Sequence, residues 1–307
     1  MITDRFTMPK LGARVYEFET PWKPCGMGYT QYGLLVCTCH NENPRIYSRV
    51  YHYSGKVAPM IIHDDTRPDS HSSNETIGNP VEMAGYVALV GENGNLWGFD
   101  GRNMIRRFAT RFATAAAFHK GALIVLDTDG GRIRARDGLL PDGNELDGIT
   151  IPGDGIAMSA CSFNGNLYAA VADSETGNCG LSCSDGNLRR LPGCQCVIPF
   201  AGDLVYSSMN GVYTLKLGLV TRLDCEKIMD MKSAGNSLYI AGANPDSVWV
   251  ANTRGEIALV GRVDTGNTTV GGSCFRVRVA VNALETEGYF ARTADGNRGE
   301  VYQIVWG

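Results

Sequence analysis

No run of 18 consecutive apolar residues occurs in this chain, so no membrane-crossing helix can be drawn on it. The opening stretch, MITDRFTMPKLGARVYEF, has no apolar h-region, which removes secretory export from the expectations. No Cys-x-x-Cys pair is present, and no histidine stands at zinc-finger distance from a cysteine pair. There is no Gly-x-Ser-x-Gly elbow to expose a nucleophilic serine. No glycine-rich loop follows a strand and opens a helix, as a phosphate cradle would require. Helical periodicity is missing as well: the best apolar candidate, residues 113–118, is shorter than a normal helix. Excess positive charge is also lacking. Lys and Arg number 28 against 32 Asp and Glu, giving a net charge of −4. Direct nucleic-acid recognition and attraction to anionic membranes are therefore not expected.

Glycine is abundant, with 38 residues spread over 307 without collagen period, and it marks many tight turns. Apolar residues make up 44% and charged residues 20%. That balance supplies a sizeable core and excludes a disordered chain. The ten cysteines fall largely inside apolar runs. Cys37 and Cys39 are two residues apart in LLVCTC, so a strand would place both on one face, and Cys194 and Cys196 share that spacing. All ten are expected as free thiols kept in a reducing compartment.

Short β-runs broken by Gly, Asn and Asp fill the whole chain, and they repeat. Residues 163–193, FNGNLYAAVADSETGNCGLSCSDGNLRRLPG, hold three runs joined by turn residues, with a fourth run just ahead. The same grammar recurs behind Gly33, Gly85, Gly121, Gly165, Gly202, Gly235 and Gly288. These anchors are 52, 36, 44, 37, 33 and 53 residues apart. A four-stranded propeller blade takes about 40–45 residues. The expected fold is all-β: a single seven-bladed β-propeller domain over residues 1–307, with four-stranded antiparallel blades. After Gly288 only two β-runs remain, and a spare run lies near residues 13–18. An N-terminal strand is therefore expected to close the last blade, which removes two exposed edges.

The openings Gly165-Asn166-Leu167-Tyr168, Gly202-Asp203-Leu204-Val205 and Gly235-Asn236-Ser237-Leu238-Tyr239 resemble those of the β-propeller superfamily. No Trp-Asp dipeptide marks a WD repeat. The double glycine Gly130-Gly131 is not repeated as in kelch proteins, and Ser182 to Gly186 departs by one position from a sialidase Asp-box. In architecture the chain is similar to propeller-bearing tail or nozzle proteins of short-tailed bacteriophages. That resemblance implies a structural subunit of a virion tail, assembled as a ring in a reducing host cytoplasm. Its partners would be other structural subunits and copies of itself; a cytoplasmic protein is the alternative location. A lectin-like glycan- or ligand-binding propeller and a channel-mouth hydrolase or lyase are the alternative functions. No catalytic, cofactor or metal residues are assigned.

Candidate partner contacts follow from spacing, because insertions on a rigid scaffold are where binding residues concentrate. The two long steps place extra residues at 63–83 and 264–274, and residues 1–25 form an N-terminal arm. The first insertion offers His63, Asp64, Asp65, Arg67, His71 and Asn74; the second offers Asn267. His63, Asp64 and Asp65 also have the residue types of a metal site. Arg132, Arg134 and Arg136 alternate, so one strand face would present all three, either protecting an edge or meeting an acidic neighbour.

Overall fold

The computed structural model describes residues 8–306 apart from 20, 43–44, 55–57, 67–76, 84, 92–94, 110–112, 130–131, 138–144, 155, 173–178, 264–276 and 295–297. Every element among them is a β-strand, and the strands form seven four-stranded antiparallel sheets. Sheet 1 holds β2 (Lys23–Thr30), β3 (Gly33–Glu42), β4 (Arg45–Tyr53) and β5 (Met60–Asp64); sheet 2 holds β6 (Val81–Met83), β7 (Tyr86–Val90), β8 (Asn95–Phe99) and β9 (Met104–Ala109). Sheet 3 holds β10 (Ala113–His119), β11 (Ala122–Asp129), β12 (Arg132–Asp137) and β13 (Glu145–Asp154); sheet 4 holds β14 (Ile156–Phe163), β15 (Asn166–Ala172), β16 (Cys179–Cys183) and β17 (Leu188–Arg190). Sheet 5 holds β18 (Val197–Phe200), β19 (Asp203–Ser208), β20 (Gly211–Thr214) and β21 (Gly218–Arg222); sheet 6 holds β22 (Lys227–Ala234), β23 (Ser237–Ala243), β24 (Asp246–Asn252) and β25 (Ile257–Val263). Sheet 7 joins β26 (Val277–Val281), β27 (Gly288–Ala294) and β28 (Arg298–Val305) to β1 (Lys10–Glu17).

The chain is a β-propeller of four-stranded antiparallel blades, and the side-chain alternation explains the packing. Leu167, Ala169 and Val171 of β15 face sheet 3, while Ala170 between them faces sheet 5. Leu34 and Val36 of β3 face sheet 7, and Leu35, Cys37 and Cys39 face sheet 2. Each second strand is thus buried on both faces, which is why these runs read as continuously apolar. Seven buried clusters result, each between two successive sheets, and one of them joins sheet 7 back to sheet 1.

The repeated glycine has a conformational cause. Gly33, Gly85, Gly121, Gly165, Gly202 and Gly235 all have positive φ, from 51° to 114°. In three of these turns the residue ahead is left-handed too: Lys120, Asn164 and Ala201. Two consecutive positive φ values match the twist of a tight hairpin, and glycine accepts them without a Cβ penalty. Gly288 is different. It lies within β27, and its turn is made by residues 282–287 with Glu285 at a φ of 55°.

Closure by the N-terminal strand takes the antiparallel register Lys10↔Val305 to Glu17↔Glu300. The Tyr29 hydroxyl donates to Glu287, adding a polar link between sheets 1 and 7. Cys194 and Cys196 do not share a face as their spacing suggests. They precede β18 in irregular backbone, and Cys194 packs toward sheet 4 while Cys196 packs toward sheet 6. The eight described cysteines are free thiols: Cys25, Cys37, Cys39, Cys161, Cys183, Cys194, Cys196 and Cys225.

Candidate interaction surface and central channel

The expected insertion at 63–83 has strand at both ends, and its residues 67–76 lie outside the described residues. His63 and Asp64 end β5, and β6 (Val81–Met83) is the innermost strand of sheet 2. The N-terminal arm likewise contains β1 and the start of β2. Short, irregular strands there carry little sequence signal, so they look like loop. Arg67, His71 and Asn74 lie outside the described residues, as does Asn267 with the whole of 264–274.

His63, Asp64 and Asp65 are brought together with aromatic neighbours. His63 Nε2 is 2.9 Å from Asp65 Oδ1, and its ring lies 4.5 Å from that of Trp97 in sheet 2. Arg49 Nε is 3.1 Å from Asp64 Oδ1, and its guanidinium lies 4.2 Å above the Trp22 ring. Burial pushes the Asp64 carboxyl up, but hydrogen bonds from Thr66 and the Arg49 charge outweigh it, leaving the group below its ordinary value. Asp65 is 3% exposed. Among the described residues no three His, Cys, Asp or Glu side chains are grouped to hold a metal. The His63–Trp97 ring contact links the outer part of sheet 1 to sheet 2, and the charge contacts lie within sheet 1.

Arg132, Arg134 and Arg136 do alternate along β12, the third strand of sheet 3. In the register Arg132 stands opposite Asp129 and Asp154, Arg134 opposite Asp127, and Arg136 opposite Glu145. A serine–histidine pair that the sequence pattern did not reveal joins sheets 3 and 4: His119 Nδ1 is 2.8 Å from Ser162 Oγ. His119 is 2% exposed, and burial pulls its pKa below the usual value. Among the described residues no carboxylate reaches its other nitrogen, so no triad is assembled there.

An exposed apolar rim appears on sheets 4 and 5. The hairpin between β20 and β21 carries Leu215, Leu217, Leu219 and Val220, with Leu217 81% exposed. Leu188, 40% exposed, follows the corresponding hairpin of sheet 4. Both features flank the turn between third and fourth strands, so they lie toward the same end of successive sheets. Lys216, Arg222, Arg189 and Arg190 are interspersed among them. Arg189 Nη1 also donates to the Tyr206 hydroxyl at 2.9 Å, fixing β17 against sheet 5. Outer strands are normally protected by charge, and these apolar side chains interrupt that protection.

The innermost strands of all seven sheets converge on one cavity of about 230 Å³. β2 contributes Cys25, β10 contributes Ala115 and Ala116, and residues 78–81 line it from sheet 2. β14 contributes Ser159, Ala160 and Cys161, and Cys196 to Ile198 line it from sheet 5. Asp230 and Lys232 of β22 and Arg278 of β26 supply its charges. Lys232 Nζ is 3.6 Å from Asp230 Oδ1. Asp230 also accepts from the amides of Met231 and Val279, each at 3.1 Å. Arg278 donates to the carbonyl oxygens of Cys25 and Val277 at 2.9 Å each. Burial pushes the Cys161 and Cys196 thiols up to about 12, so both stay neutral near pH 7.

No family model and no curated protein sequence matches this chain. Solved structures do. Over 96% of its length it superposes on 95% of a chain from the "Crystal Structure of Mitotic Checkpoint Complex", with a TM-score of 0.63 and 8% identity. The WD40 β-propeller domain of Doa1 matches over 97% of both chains, with a TM-score of 0.62 and 10% identity. Raptor from Chaetomium thermophilum matches over 98% of this chain but 29% of its own, with a TM-score of 0.61 and 11% identity. Identities this low carry the fold and nothing more. Among the described residues no helix is long and apolar enough to cross a membrane. What this chain shares with known proteins is the β-propeller fold.

Proposed function

We propose that the seven sheets are the blades of one closed propeller that serves as a protein-interaction scaffold and associates with copies of itself. The observation that carries the reading is the apolar, basic-flanked rim of sheets 4 and 5, where Leu188, Leu217, Leu219 and Val220 face solvent. A chain of net charge −4 offers acidic surface elsewhere to meet the lysine and arginines of that rim. A contact between unlike patches on identical chains is heterologous and closes into a ring when the rotation permits. A ring-forming tail subunit of a virion is the finer form of this reading, and its support is the propeller architecture and the requirement for such a ring.

The test is native mass spectrometry and sedimentation of the purified chain beside a Leu217→Asp/Leu219→Asp variant. Concentration-dependent oligomers that revert to monomer in the variant, with unchanged circular dichroism, support the proposal. A monomer at every concentration, or oligomers indifferent to the substitutions, overturns it.

A further inference from the structure

We infer that the surface meeting the apolar, basic rim of sheets 4 and 5 is the outer edge of sheet 3 on the next copy of the chain, formed by β13. This rests on the reading of the chain as a self-associating propeller and names the second half of its contact. The rim sets the requirements. Leu217 is 81% exposed and Leu188 40%, and the exposed cations Lys216, Arg222, Arg189 and Arg190 stand beside them. Residues 188–222 hold these four cations and one acid, Asp203. A matching surface has to offer negative charge and apolar side chains together, at an accessible place.

Each sheet ends in one outer strand, whose far edge no other described strand covers. β1, β9, β17, β21 and β25 carry more bases than acids. β5 has one carboxylate, Asp64, and Arg49 already holds it at 3.1 Å. Among these strands β13 alone has several acids and no base: Glu145, Asp147 and Asp154. The same strand interleaves Leu146, Ile149 and Ile151 with those acids. The arginines of β12 do not cancel the charge, since residues 127–154 hold seven acids against three arginines. Like charge disfavours a rim-to-rim contact, and unlike charge favours rim against β13. The two surfaces lie on different sheets, so the contact is heterologous and each copy has both halves of it. Assembly therefore passes beyond a dimer, and salt weakens it.

Two charge-reversed chains test it. One is altered on β13, Glu145→Lys/Asp147→Lys, and the other on the rim, Lys216→Glu/Arg222→Glu. Sedimentation velocity and native mass spectrometry read each alone and the equimolar mixture, in low and in high sodium chloride, with circular dichroism checking the fold. Each variant alone is expected to associate more weakly than the parent by about tenfold or more. The mixture is expected to recover assemblies in which the two alternate, because every reversed surface then meets its opposite. A β13 variant that associates like the parent, while Leu217→Asp/Leu219→Asp does not associate, overturns the β13 assignment and leaves self-association standing. Folded variants that stay apart when mixed overturn the assignment too. A parent that is monomeric at every concentration overturns both readings. Should the reversed β13 chain fail to fold, Glu145→Gln/Asp147→Asn takes its place, and undiminished association there overturns the assignment.

Discussion

Replacing Glu300 with alanine tests how the last sheet is locked. Glu300 lies on β28, where β1 joins, and is 5% exposed. Its carboxylate accepts from Tyr302 Oη at 2.8 Å and from Arg14 Nη1 at 2.7 Å, and lies 3.3 Å from Arg292 Nε. Arg292 is itself 5% exposed, and its other acidic neighbour, Asp246, is 3.8 Å away in sheet 6. The alanine variant leaves the Arg292 guanidinium buried with a more distant counter-charge. Breaking a buried pair costs about 3–5 kcal/mol, and the surviving Asp246 contact argues for the lower end. With a urea slope on the order of 3 kcal/mol per molar for a chain of this size, the unfolding midpoint should fall by about 1 M.

Arg14→Ala is the internal control. Arg14 is solvent-exposed, so its pair with Glu300 is screened and its loss should shift the midpoint far less. Burial raises the Glu300 pKa, but hydrogen bonds from Tyr302 and Arg14 and the charge of Arg292 bring it below the ordinary value. A lowered carboxyl pKa contributes stability above the unfolded value, and that contribution disappears as pH falls through the folded value. The gap between parent and Glu300→Ala should therefore be full at pH 7 and shrink below about pH 4. A midpoint change under about 0.2 M at pH 7, or Arg14→Ala as damaging as Glu300→Ala, would refute the reasoning.

Two glycine substitutions separate backbone strain from collision. Gly165→Ala puts a Cβ into open space at a φ of 78°, so it should cost about 1–2 kcal/mol in urea unfolding. Gly26→Ala drives its Cβ into the backbone of Gly78 between sheets 1 and 2, and should be the more damaging of the pair. Thiol chemistry gives a third expectation. Cys161 and Cys196, raised to about 12 by burial, should react with a disulfide reagent at pH 8 only after unfolding. A raised thiol pKa contributes stability below the unfolded value and loses it as pH rises, so the urea midpoint in reductant should drop between pH 9 and pH 11; a flat midpoint counts against it.

The turns and the closure were legible in the sequence because each is a local necessity. Asn164-Gly165 announces a tight hairpin with two positive φ values, and the spare β-run near residues 13–18 overlaps β1, which pairs with β28. The channel was not legible. Arg278 is far in sequence from Asp230 and Lys232, and the signal the three left was charge embedded in apolar runs, IMDMK and FRVRV. Such a residue in a strand buried on both faces has to find a polar partner or a cavity. The His63 cluster was half legible: its acids were noticed, but Trp97 and Arg49 reach it across strand and sheet boundaries that spacing does not report.

The channel residues also answer a problem that every propeller has. The innermost strand of each sheet has one side without a partner strand, and its amides and carbonyls need satisfying. Here side chains of neighbouring strands supply the partners. Ser159 Oγ accepts from the Val197 amide, Asp230 Oδ2 from the Val279 amide, and Asn79 Oδ1 from the Met27 amide. Arg278 donates to the Cys25 carbonyl. Bulges make this possible. The innermost strands slip register between Pro24 and Gly26, Ala113 and Ala115, Ala157 and Ser159, and Ile228 and Asp230. Ile228 and Met231, three residues apart, consequently pack into the same cluster, which a regular strand forbids. The slip frees Ser159 and Asp230 from the alternation and turns them toward the next sheet. The same irregularity that satisfies the inner edges thus delivers charge to the axis. Lys232, which caps no backbone group among the described residues, is the part of that arrangement that edge satisfaction leaves unexplained.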